Sequence, residues 1–158
     1  MGFVENIRSA MGDEWLPLIY RDRIRTQRTR SMTLDIPARE NRADIQYTLL
    51  GIELKVGRKR FSCPDLSTAR YIRVFARLGV KEFAIIYDIT RISTAADELE
   101  TSWQRLSLTL DDYFRGRSDV VLARSRASLI KAVRNEILQI GGGEAMPLFD
   151  RKTRQRTP

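Results

Sequence analysis

The sequence predicts a mixed α/β fold: an N-terminal helix, an antiparallel β-meander, a crossover helix, an interior strand and two C-terminal amphipathic helices. Three observations lead there. Apolar residues alternate with period two between Met32 and Cys63, and they recur at three- and four-residue steps from Leu99 onward. The chain has 158 residues, 42% of them hydrophobic and 30% charged, enough for one sizeable core. A single domain is therefore expected over residues 1–140, followed by a flexible basic tail over 141–158.

Taken in order, Phe3, Ile7, Ala10 and Met11 share a helical face, and Gly12 marks the stop. Pro17 interrupts the apolar stretch that follows, and Arg21, Arg23, Arg25, Arg28 and Arg30 then form a basic arm with a single acid, Asp22. Met32, Leu34 and Ile36 alternate with polar neighbours up to Pro37, which predicts the first strand of the meander. After a polar connector, Ile45, Tyr47 and Leu49 alternate with Asp44, Gln46 and Thr48. The phase slips at Leu50-Gly51, and Ile52, Leu54 and Val56 continue opposite Glu53 and Lys55, as two strands joined by a hairpin do. A turn at Gly57-Arg58-Lys59 leads to a last strand with Phe61 and Cys63 inward and Arg60 and Ser62 outward. One sheet face is thus apolar and the other polar.

Asp65 or Ser67 is placed to cap a helix that runs to Leu78 and stops at Gly79. Ala69, Ile72, Phe75 and Ala76 face inward on it, and Arg70, Arg73 and Arg77 form an outer stripe. The continuous apolar run Phe83–Tyr87 suits a strand buried on both faces. Leu99, Trp103, Leu106, Leu110 and Tyr113 predict an amphipathic helix over 97–114 with an acidic early polar face of Asp97, Glu98 and Glu100. A final helix over 119–140 aligns Leu122, Leu129, Val133, Ile137 and Ile140, with Arg117, Arg124 and Lys131 recurring on another side.

The residue inventory narrows the chemistry. No histidine is present and Cys63 is the one cysteine, which excludes a zinc site, a Ser-His-Asp triad, a Cys-His pair and an internal disulfide. Cys63 alternates inward and reads as a buried thiol. The formal net charge is +8, and 23 of the 28 basic residues are arginine. A planar guanidinium matches phosphate, so this balance points to nucleic acid; the competing explanation is an arginine-rich composition spread over separate solvated surfaces. No apolar run approaches the ~20 residues of a membrane span, and the first helix carries Glu5 and Arg8 where a leader would be apolar. A cytoplasmic protein without membrane contact is expected.

Helix, three-strand meander, helix, interior strand is an order similar to the core of the PD-(D/E)XK nuclease superfamily, and Glu53-Leu54-Lys55 resembles that family's (D/E)XK element. The likeness covers roughly residues 3 to 88, and the way STARYIRVFARLG leads into EFAIIYD is similar in layout to archaeal Holliday-junction resolvases. It implies that Glu53 is a Mg²⁺ ligand, that Lys55 stabilises charge at the scissile phosphate, and that Asp44, the only acid on the preceding predicted strand, is the second metal ligand. Such chemistry needs carboxylates, water and an amine, and no histidine. Without the resemblance, Glu53 and Lys55 read as part of a solvated sheet face.

Two hairpin registers are compatible with the apolar pattern. A turn at Leu50-Gly51 sets Asp44 opposite Gly57, roughly 13 Å from Glu53 and too far for one metal. A wider loop centred on Thr48-Leu49 sets Asp44 against Glu53. Turn chemistry favours the first, because Gly51 accepts positive φ and Leu-Leu is a poor turn centre; a bulge, or Asp35 or Glu5, would then have to restore the site.

Three basic elements are candidates for nucleic acid: Arg21 to Arg30, the cluster Lys55, Arg58, Lys59 and Arg60, and the stripe Arg117, Arg124 and Lys131. Trp15, Tyr20 and Tyr71 have rings that could stack on bases, but each sits at an apolar position where core packing is the simpler use. The expected function is nucleic-acid binding on a nuclease-like core, with Mg²⁺-dependent DNA hydrolysis if the acids converge. One alternative is a non-catalytic nucleic-acid-binding or ribonucleoprotein component. Another is a protein-interaction module whose helices over 97–114 and 119–140 pack on a partner or a second copy. In the tail, Met146, Leu148 and Phe149 look like the peptides that dock on bacterial sliding clamps, without their usual glutamine; a tail folded back on the core is the simpler account.

Overall fold

A computed structural model of the protein describes residues 2–142 and has the mixed α/β order expected. Helix α1 (Phe3–Met11) buries Ile7 and Met11 and ends at Gly12, whose φ of 54° is left-handed. Helix α2 (Leu16–Ile19) has Pro17 in its first turn and continues through one wider turn, Tyr20–Ile24. Strands β1 (Thr29–Thr33), β2 (Ala43–Thr48), β3 (Gly51–Val56) and β4 (Lys59–Cys63) precede helix α3 (Leu66–Leu78). Strand β5 (Glu82–Ile86) and helices α4 (Ile92–Tyr113) and α5 (Asp119–Ile140) complete the fold.

The local signals act as read. The Asp65 carboxylate accepts the Thr68 N–H at 2.7 Å and caps α3, which ends where Gly79 turns left-handed. Gly79 also lies so close to the main chain of Arg39 that any Cβ would collide with it. The Ser118 hydroxyl accepts from Val121 N–H and opens α5.

The strand pairing corrects two expectations. The first strand lies at Thr29–Thr33 rather than Met32–Ile36, and it pairs antiparallel with β5 instead of joining the meander. Leu34 and Ile36 are buried beyond its end. The sheets are therefore two, β1-β5 and β2-β3-β4. The polar connector ending at Arg42 separates β1 from β2, and β5, buried from Phe83 to Ile86, needs a ladder partner that β1 supplies.

The other edge of β5 is closed by side chains. Tyr20 hydroxyl accepts the Ala84 N–H at 2.8 Å and donates to the Gly141 carbonyl at 2.7 Å. Tyr71 hydroxyl donates to the Ala84 carbonyl at 2.5 Å. Trp15, Tyr20 and Tyr71 are all fully buried, so they serve the core. Gly142 presses on the main chain of Glu82 and Phe83 at the same edge, where a Cβ would not fit. Residues 141 and 142 are thus packed, in contrast to the flexible tail expected from 141; the remainder of that tail, with Met146, Leu148 and Phe149, lies outside the described residues.

Helix α3 is the hub. Its Tyr71 and Phe75 pack on Phe83 of β5, with the Phe75 and Phe83 rings stacked at 4.3 Å, and other side chains meet the meander and α4. This central position overturns the outer arginine stripe. Arg70 pairs with Asp97 and Glu100, Arg73 pairs with Glu100 at 2.5 Å, and both arginines are only about a quarter exposed. The acidic face of α4 thus receives the basic face of α3. The apolar stripes of α4 and α5 are buried inside the chain at Leu99, Leu106, Leu110, Leu129, Val133 and Ile137, while Tyr113 at the end of α4 is exposed.

Candidate nucleic-acid interface

The hairpin adopts neither of the registers read from the sequence. Thr48 pairs with Gly51, Gln46 with Glu53 and Asp44 with Lys55, so the loop is Leu49-Leu50. Gly51 does take a positive φ, 124°, but as the first residue of β3 rather than inside the turn. The Thr48 hydroxyl braces this loop, accepting the Leu50 N–H at 3.2 Å and donating to the Gly51 carbonyl at 3.1 Å. Flanking residues thereby supply the turn chemistry that the two leucines lack.

Cross-strand partners share a face, so Asp44, Gln46, Glu53, Lys55, Arg60 and Ser62 line the side of the sheet opposite Leu54, Val56 and Cys63. Asp44, Arg60 and Ser62 are exposed, whereas Gln46, Glu53 and Lys55 are half-buried among their neighbours. Asp44 lies diagonal to Glu53, a relation that sets Cα atoms roughly 7–8 Å apart, and directly opposite Lys55. The Asp44 carboxylate accepts from Arg42 Nε at 3.1 Å. Glu53 Oε2 is shielded from solvent, accepts no hydrogen bond and faces Arg60 Nη1 at 3.9 Å.

Among the described residues no group of three or more Asp, Glu, Cys or His is placed to hold a metal ion. A pair of carboxylates completed by waters is nonetheless a set magnesium accepts, and Glu53 Oε2, which accepts no hydrogen bond, has only the Arg60 guanidinium as an ionic neighbour. Asp44 and Glu53 would hold such an ion, and bound there it would polarise a phosphoryl oxygen and acidify a water. Lys55, across from Asp44, is the amine on the same face.

The predicted basic residues are scattered by the fold. Arg21 pairs with Asp22, Arg23 with Glu98 at 3.1 Å, and Arg28 stacks over Tyr87 at 4.3 Å. Arg25 sits near Gly141, and Arg30 is half-buried on β1. Lys59 binds the Asp35 carboxylate at 2.5 Å, and this contact holds Asp35 below the usual carboxylate range. Arg58 and Arg60 remain exposed at the β3–β4 turn. Arg124 and Lys131 are exposed on α5, and Arg117 is exposed in the turn that precedes it. Of the candidates, the structure brings together Asp44, Glu53, Lys55 and Arg60, with Arg58 at the strand end.

The fold adds cations that spacing could not reveal. Arg42, Asp44, Gln46, Lys55 and Gly57 line a depression of about 400 Å³ on the open face. Beside it, sharing Arg42 and Asp44, a cleft of about 490 Å³ includes Arg77, Trp103 and Arg126. Arg126 is clamped by Glu40 at 2.7–3.0 Å and lies 5.5 Å over the Trp103 ring. Arg77 reaches the Ala43 carbonyl at 3.5 Å, and burial, then the charge of Arg73, lowers its affinity for its proton. Arg42 precedes β2 in a connector that also holds Arg39, and Arg126 comes from α5, far along the chain. No family model, curated protein or solved structure matches the chain, and among the described residues no helix is long and apolar enough to cross a membrane.

Proposed function

We propose that this protein binds the phosphate backbone of nucleic acid on the open face of the β2-β3-β4 sheet, in the cytoplasm. The observation that carries it is an open depression lined by Arg42, Lys55 and Asp44 on one sheet face, with Arg60 paired across from Lys55 and Arg58 exposed at the strand end. Cations spaced along adjacent strands contact successive phosphates, and a sheet face can lie along a groove. Backbone contacts of this kind bind without reading sequence.

Fluorescence anisotropy with a labelled duplex and a labelled single strand tests this over a range of salt. Affinity should fall steeply as salt rises and should ignore EDTA. Lys55→Ala and Arg42→Ala should each lower the slope of log affinity against log salt by about one. Affinity independent of salt, or unchanged in both variants, rejects the proposal.

A second reading, hydrolysis of DNA with magnesium, is favoured by one observation. The register sets Asp44 diagonal to Glu53 with Lys55 alongside, and one Glu53 oxygen accepts no hydrogen bond. Glu53→Gln and Lys55→Ala should then each abolish Mg²⁺-dependent cleavage with the fold intact. Binding without cleavage in the parent chain leaves the non-catalytic, ribonucleoprotein-like role.

A further inference from the structure

Strand β2 is an edge of its sheet, and so is β4. The β4 edge opens with Lys59 and Arg60, charges that discourage edge-to-edge pairing. From Ile45 to Ile52 the β2 hairpin carries no charge at all. The Ala43 carbonyl turns away from β3 toward Arg77, so by ladder alternation the N–H and C=O groups of Ile45 and Tyr47 point outward too. No hydrogen bond from another element reaches them among the described residues.

The two ends of this edge differ. At one end stand Leu49 and Leu50, with relative exposures of 107% and 96%, above Tyr47 at 70%. At the other, beside Ala43, opens the cleft of about 490 Å³, where Trp103 lies among the charged groups of Glu40, Arg42, Asp44, Arg77 and Arg126.

We propose that β2 pairs antiparallel with β2 of a second copy of this chain. The register that sets Ile45 against Tyr47 of the second copy places Gln46 against Gln46 on the two-fold axis. Leu49 then meets Ala43 and Leu50 meets Arg42, so each leucine tip enters the cleft of the other copy. Asp44 faces Thr48, and no like charges are opposed. Tyr47 gains an aliphatic cross-strand neighbour, and the outward main-chain groups of Ile45 and Tyr47 gain partners. Identical edges need no third component, and the axis stands perpendicular to the sheet. The open faces of both copies therefore continue into one surface carrying two Lys55 clusters. None of this depends on nucleic-acid binding.

Sedimentation velocity on the full chain up to about 100 µM, with disulfide trapping under mild oxidant, provides the test. Facing Gln46 residues form a pair without direct ladder bonds, about 4.5 Å apart at Cα and within disulfide reach. The two copies of Asp44 are roughly 13 Å apart along the strands. The parent chain should dimerise with concentration, Gln46→Cys should give a covalent dimer and Asp44→Cys should not. Buried Cys63 is a background common to all variants. Leu49→Ser with Leu50→Asn, residues suited to turns, should weaken dimerisation at least about tenfold without lowering the thermal midpoint. A monomer at every concentration with no Gln46→Cys dimer overturns the proposal. So does trapping of Asp44→Cys as efficient as that of Gln46→Cys, or a dimer indifferent to the tip substitutions.

Discussion

Replacing Tyr20 with Phe deletes one oxygen and leaves the ring in place, which isolates what its hydroxyl does. That oxygen accepts the buried Ala84 N–H and donates to the Gly141 carbonyl. An orphaned buried N–H costs about 1–3 kcal/mol, and the lost bond to Gly141 adds about 0.5–1.5 kcal/mol. A total of about 1.5–4.5 kcal/mol corresponds to a fall in Tm of roughly 3–18 °C for a domain of this size. Urea and thermal unfolding of both chains measure it. Tyr71→Phe should cost less, about 1 kcal/mol, because a carbonyl tolerates under-satisfaction better than an N–H. Burial raises the pKa of Tyr20 and Tyr71 above the ordinary 10.0. Their contribution is therefore complete below pH 10 and is lost as pH climbs toward the folded-state values. The alkaline decline in stability should accordingly be shallower in Tyr20→Phe. A change below about 0.5 kcal/mol at neutral pH would mean that water satisfies Ala84, and the closed-edge account of β5 would fail.

Glu100→Ala should destabilise by about 2–3 kcal/mol, because it leaves Arg70 and Arg73 facing each other with Asp97 alone as counter-charge. Urea unfolding with an unchanged m-value checks it, and replacing Arg70, Arg73 and Glu100 together by apolar residues should cost less than removing the acid alone. Gly79→Ala combines a left-handed φ of 75° with a collision at Arg39, so a loss of at least about 2 kcal/mol is expected in the same assay.

What the sequence made legible was local. The cap at Asp65, the stops at Gly12 and Gly79 and the faces of α4 and α5 follow from chemistry within one or two turns. The partner of β1 was not legible, because alternation says which side of a strand is buried and nothing about which strand lies beside it. The outward appearance of Arg70, Arg73 and Arg77 misled for a related reason: a basic stripe opposite an apolar one can meet water or a matching acidic helix, and Glu100 lies 27 residues beyond Arg73. At the candidate interface, Glu53, Lys55 and Arg60 were visible by period. Their relation to Asp44 hung on a loop whose shape Thr48 and Gly51 decide from outside.

That bracing has a practical side. Because the hydroxyl of Thr48 and the backbone freedom of Gly51 hold the bend, the side chains at 49 and 50 are free of any duty toward the strands. The two positions form an interchangeable head on a fixed stem. Randomising them in a display library would sample new recognition specificities while the rest of the molecule stays the same.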